Sequence, residues 1–238
     1  MARIRPRRLF WWLVSALAAV IVLSVGGAFV YIHFISGPAP APLSLRSSAP
    51  SAGASDTAAA GVTATLAGSW RVAAGSIVGY RVNEVLAGQN NVAVGRTSDI
   101  TGTLTIEGDS VTAASLTVQM ATLKSDESER DVQFNGRIMD TAAYPTGTLA
   151  LTKPISLAPV PAVGVIRSYH ATGTLTLHGE TRTVTFTLQA ERTSDLIEVS
   201  GSIPIVFADW GIGNPSFPPF VTTQNHGELE FLVVFSPA

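Results

Sequence analysis

The chain contains no cysteine. That absence excludes a disulfide framework, a thiolate metal site, a thiol nucleophile and lipid attachment through a cysteine. Charge is also scarce, at 13% of residues against the roughly 25% usual for soluble domains. Histidine occurs only at positions 33, 170, 178 and 226, no two of them at a helical ligand spacing, and no Gly-x-Ser-x-Gly elbow is present. With no catalytic or metal-binding cluster legible, the expectation is a protein that is not an enzyme and needs no cofactor beyond a non-covalently held ligand. From residue 68 onward there are sixteen acidic residues against ten basic, a sign that argues against nucleic acid as a partner.

Long apolar runs are limited to one. Arg3, Arg5, Arg7 and Arg8 precede residues 9–35, which carry no charge if His33 is neutral. About 27 residues of helix would measure about 40 Å, enough to span a hydrocarbon core of about 30 Å with some tilt. The apolar core of a cleaved signal peptide, the alternative, is only about 7 to 15 residues. The expectation is therefore a basic cytoplasmic N-terminus (1–8), a single-pass membrane anchor (9–35) and a C-terminal part outside the cytoplasm. Residues 36–67 turn to Ala, Pro, Ser, Gly and Thr, a composition with little to bury, and read as a disordered linker. Residues 68–238 then form one domain large enough for a real core.

That domain reads almost wholly as strands. Apolar residues alternate with Thr, Ser or Glu over 68–73, 76–86, 98–107, 111–123, 147–152, 168–177, 180–191, 196–207 and 227–235. The clearest case is GTLTLHGETRTVTFTL, residues 173–188. A two-residue turn at His178-Gly179 pairs Leu177 with Glu180 and puts Leu175 and Leu177 on one face with Val184, Phe186 and Leu188. Residues 126–135 break the pattern with an acidic first turn, Asp126 as N-cap and Gly136 as a stop, and predict one short helix. Eight or nine strands with regular turns imply an antiparallel barrel or a sandwich.

Three ordered blocks resemble the YceI-like family: RDVQFNGRIMDTAAYPTGTL from Arg130, the hairpin at 173–188, and Asp209-Trp210-Gly211-Ile212. The resemblance implies an all-β, eight-stranded antiparallel lipocalin-like barrel with a short helix, whose apolar cavity holds an isoprenoid or another amphiphilic lipid such as a quinone-like or fatty-acyl chain. On that reading the membrane is contacted through residues 9–35, and a homodimer is left open. The alternative is an anchored β-sandwich, an adhesion or assembly module with no cavity that binds a protein partner.

The apolar faces and the helix nominate Tyr80, Val82, Leu104, Ile106, Phe134, Ile138, Met139, Leu175, Leu177, Phe186, Leu188, Phe231 and Val233 as cavity residues. Trp210 joins them from an aromatic, proline-rich stretch at 210–220 that reads as a rim or a packed corner. Arg130 and Asp131 could meet a headgroup, but a charged helix face is more often a salt-bridged surface. Asp140 and Tyr144-Pro145 read as the turn returning the chain to the sheet, and His178 as a turn residue.

Overall fold

Leu177 pairs with Glu180 across a two-residue turn. His178 and Gly179 both adopt positive φ, 50° and 80°, the conformation whose twist matches the strands on either side. The register buries Leu175, Leu177 and Phe186 on one face, as the alternation predicts. The computed structural model that shows this describes Trp12, Ser15 and residues 39–46, 66–86, 88–193, 195–219 and 221–238. Apart from Trp12 and Ser15, the predicted anchor at 9–35 lies outside the described residues. Among those described, no helix is long and apolar enough to cross a membrane.

The strands run β1 (Gly68–Val72), β2 (Ile77–Leu86), β3 (Gln89–Thr97), β4 (Ile100–Glu107), β5 (Ser110–Gln119), β6 (Thr146–Leu151), β7 (Ile155–Ser156), β8 (Arg167–Leu177), β9 (Glu180–Arg192), β10 (Ile197–Val206), β11 (Val221–Thr223) and β12 (His226–Pro237). Eight of them close into an antiparallel barrel in the order β1, β4, β5, β6, β8, β9, β10, β12, with Val72 opposite Phe235 completing the ring. Closure excludes the sandwich alternative. β2 carries on where β1 stops, pairing with the other half of β12 from Ile77 opposite Leu232 to Arg81 opposite Glu228. β3 folds back along β2. The free side of β3 is tied to the chain beyond β5 by a reciprocal pair of backbone hydrogen bonds between Arg96 and Lys124 (2.8 and 3.0 Å).

Strand β3 is not predicted from sequence. Gln89, Asn90, Asn91 and Gly95 are poor strand formers, and pairing along the length of β2 overrides their local preference. The predicted strand 111–123 ends at Gln119, because Met120 donates its N–H to the Pro145 carbonyl (2.9 Å) and the chain enters a 3-10 turn. The helical stretch is shifted rather than shortened, starting two residues later than expected and running through Gly136, the expected stop. α1 spans Ser128–Gln133 and continues into a π-helical turn over Phe134–Ile138. Asp126 is not its cap, since the N-cap position is Glu127 and makes no side-chain cap bond. The Asp126 carboxylate is engaged instead by Arg130, one turn on. Buried Asp131 holds the preceding loop, accepting from both the N–H and the hydroxyl of Ser125 at 2.8 Å.

Of the linker expected at 36–67, residues 36–38 and 47–65 lie outside the described residues, whereas 39–46 and Leu66 make contacts with the domain. Residues 39–46 pack along the outside of the β2–β12 wall. Arg81 and Arg96 donate to the carbonyls of Pro40 and Ala41, and Leu43 N–H reaches Glu230 Oε2 at 3.3 Å. Further along, Arg46 N–H reaches Glu198 Oε2 (3.4 Å) and its guanidinium donates to Gly75 O (2.7 Å). Between those anchors Leu45 is buried. On β12, alternate residues Phe231, Val233 and Phe235 face the interior cluster, yet Leu232 and Val234 of the outward face are buried too. Glu230, 3% exposed, sits between Arg81 (3.3 Å) and Arg96 (2.7 Å) on this outer face. At the far end of the same predicted linker, Leu66 is buried in the core, its carbonyl accepting the Trp70 indole N–H at 3.0 Å.

Candidate functional site

The inward faces of the strands do not fill the barrel. One end holds a cavity of about 800 Å³ under α1, and a smaller space of about 130 Å³ lies toward the other end. Leu116, Leu149 and Phe231 line both. At this divide Phe231 meets Phe186 edge to face, ring centroids 5.9 Å apart, a favoured aromatic geometry.

The structure separates the nominated residues into three groups. Tyr80, Val82, Phe134, Ile138, Met139, Leu175, Leu177 and Phe231 line the larger cavity. Leu104, Ile106, Phe186, Leu188 and Val233 line the smaller space, where Phe231 appears again. Trp210 lines neither. It is buried in a packed corner, its carbonyl 3.1 Å from His178 Nδ1, while the His178 ring leans on Tyr144 at 4.6 Å. The rest of its loop does form rim, through Ile212, Pro215 and Phe217.

Sequence reasoning missed Leu116, Val118 and Met120 of β5 and its following turn, and Ile203, Ile205 and Phe207 of β10 and the turn after it, all of which line the larger cavity. Their signal was present as apolar residues two apart, at 116, 118 and 120 and at 203, 205 and 207. Ala93 of β3 was missed with its strand.

The mouth of the larger cavity is charged. Arg130 lines it and pairs with Glu84 Oε1 (3.3 Å) and with Asp126, tying α1 to β2. Burial alone would lower the Arg130 pKa, but the Glu84 and Asp126 carboxylates raise it above its ordinary value, so the guanidinium stays charged. Glu127, Glu129 and Arg137 also reach the rim. Deeper in, the Tyr80 ring stacks on Phe134, and burial pushes its phenol up to about 12 from 10. Asp140, at φ 40°, accepts the N–H groups of Ala143 and Tyr144 and makes the turn back to the sheet. Among the described residues no group of His, Asp and Glu is placed to hold a metal ion. The site offers apolar enclosure with charge only at one end.

A closed eight-stranded antiparallel barrel that keeps a space for one small molecule defines the class. The chain belongs to the YceI-like family: the model of the YceI-like domain matches residues 70–235. Among solved structures the fold is similar to a polyisoprenoid binding domain from Saccharophagus degradans implicated in plant cell wall breakdown. That match has 18% identity and a TM-score of 0.60, covering 71% of this chain and 98% of that one. It is also similar to BcnA of Burkholderia cenocepacia, at 21% identity and a TM-score of 0.51, covering 65% and 95%. No functionally curated protein sequence matches the chain.

Proposed function

We propose that this protein is a membrane-anchored, extracytoplasmic carrier that holds an amphiphilic lipid, with an isoprenoid, quinone-like or fatty-acyl chain, inside the barrel and its polar end at the Arg130 rim. The observation that carries the reading is the apolar cavity of about 800 Å³, within the range of sites that enclose a small molecule. Each methylene moved from water into it contributes about 0.8 kcal/mol. Association costs roughly 4 to 15 kcal/mol in lost freedom, so a chain of some fifteen carbons is needed before binding becomes tight. Short metabolites are disfavoured. The family membership and the polyisoprenoid binding named for the Saccharophagus relative support the same ligand class. No reaction is required of it, and the activity is storage, shielding or transfer. The anchoring rests on the uncharged run at 9–35 behind four arginines.

The test is to extract the full chain from membranes in an amphipathic polymer and compare its organic extract by mass spectrometry with that of Met139→Trp at equal protein. A long-chain amphiphile enriched with the wild type, displaceable by a fluorescent analogue, is the expected result. Identical extracts and no uptake of the analogue would remove the proposal.

A further inference from the structure

Residues 39–46 run antiparallel to β2. Arg46 lies beside Gly75 at the start of that strand and Pro40 beside Arg81 in its middle. Followed toward lower residue numbers, the segment therefore heads for the end of the barrel that carries Glu84, α1 and the cavity mouth. Pro40 is five residue steps from Ile35, the last residue of the predicted span, and those steps reach at most about 18 Å. Along β2 from Arg81 to Leu86, the mouth end is about 17 Å away at 3.3 Å per residue. The opposite end, followed along β12 from Glu228 beside Arg81 to Pro237, is about 30 Å away. Strand tilt shortens both heights in the same proportion and leaves the mouth the nearer end. Reaching the far end would also require the chain to double back over residues 39–46.

Each end of the barrel exposes apolar side chains. At the mouth these are Val132 of α1 (63% exposed), Phe217 (64%) and, less fully, Val85 and Val206. At the other end Val160, Val163 (56%), Val165 and Ile166 are exposed in the β7–β8 connection. Exposure alone does not choose between them, but the reach of the chain does.

From these relations we infer that the mouth end of the barrel rests on the membrane that anchors the chain, with Val132 and Phe217 against the lipid and the cavity opening onto the bilayer. The occupant of that surface is a bilayer of zwitterionic lipid. The mouth carries Asp126, Glu127 and Glu129 as well as Arg130 and Arg137, so contact is through apolar side chains rather than attraction to anionic headgroups. An amphiphile then passes between bilayer and cavity without crossing bulk water. This inference rests on the anchored reading of residues 9–35, and its test separates the two.

The chain has no cysteine of its own, so single-cysteine variants label cleanly. Val132→Cys and Val163→Cys, both at exposed positions, are made in the full chain, coupled to a fluorophore and reconstituted into phosphatidylcholine vesicles that carry a headgroup quencher. The expected result is co-flotation with the vesicles and quenching at 132 at least threefold that at 163. Co-flotation with equal quenching, or with more at 163, overturns the orientation and leaves the anchor standing. Failure to float overturns the anchor, and the orientation with it.

Discussion

Tyr80 of β2 lies flat against Phe134 below α1, ring centroids 5.0 Å apart and planes within 13°. The pair joins the cap of the cavity to its wall. Above it, Arg130 and Glu84 repeat the connection in charge, so α1 is held to β2 by one apolar and one ionic contact. The Tyr80 ring also lies across Gly95 on β3, its cross-strand partner, whose missing side chain leaves it room.

Gly95→Ala should therefore push on the Tyr80 ring and strain the cap. A Cβ there would fall 2.3 Å from Tyr80 Cε1, and such overpacking costs about 1 to 3 kcal/mol. Urea denaturation should show a lower midpoint with an unchanged slope. An unchanged midpoint would mean that the ring moves aside freely.

Tyr80 also predicts an alkaline limit to stability. Its phenol is pushed up to about 12 by burial, from 10, so the folded state holds this proton more tightly than the unfolded chain. The contribution is complete below pH 10 and is lost as pH rises from 10 to 12. At about 1.4 kcal/mol per unit it amounts to roughly 3 kcal/mol. Denaturation curves at pH 9 and 11.5 should diverge more for the wild type than for Tyr80→Phe, and equal divergence would refute the assignment.

Met139 is buried and lines the larger cavity. Met139→Trp should leave the barrel folded, since the added volume has space to occupy, while excluding two or three methylenes of ligand. That loss is about 2 kcal/mol, roughly thirtyfold in affinity. Fluorescent-lipid titration beside a circular dichroism spectrum checks both halves. Unchanged affinity in a folded variant would take Met139 out of the site.

The outer strap can be weakened at either of two points. Leu45→Ala removes its buried leucine at a cost of about 2 kcal/mol. Glu230→Gln leaves Arg81 and Arg96 without a carboxylate partner on this wall, at about 3 kcal/mol. Because Leu43 N–H bonds Glu230, the two substitutions should be less than additive. Hydrogen exchange at 39–46 should rise in both, and full additivity would mean that the strap and the ion pair are independent.

The Tyr169 hydroxyl is buried beside the smaller space and makes no hydrogen bond among the described residues. An unsatisfied buried hydroxyl costs about 1 to 3 kcal/mol. Tyr169→Phe should accordingly raise the melting temperature, and a fall would reveal a partner for that oxygen.

What could be read from sequence was what is local. The hairpin register followed from one turn and one alternation, because a period-2 pattern has only two registers and only one of them gathers Leu175, Leu177 and Phe186. Nine strand regions were legible for the same reason. β3 was not, since Asn90, Asn91 and Gly95 acquire strand geometry from β2 rather than from themselves. Nor was the docking of residues 39–46, whose composition is that of a tether. Its attachment depends on Arg81, Arg96 and Glu230, which converge only after β2, β3 and β12 have paired. For the cavity, alternation identified the inward face but not which inward residues border empty space. That distinction depends on how strands across the barrel fill one another's gaps, and it divided the nominated residues between two chambers and, for Trp210, neither.

Strand β12, buried on both faces, is the last of the barrel's strands to be synthesised, and its partners are β1, β2 and β10. The ring therefore has no closed form while the ribosome is still making it. Until β12 is complete, one edge of β10 and the edges of β1 and β2 destined for it remain open to pairing with other chains. Pairing the first strands with the last spans almost the whole domain in sequence, which makes closure a late and slow event. An incomplete chain can form its consecutive hairpins, but it cannot enclose the cavity.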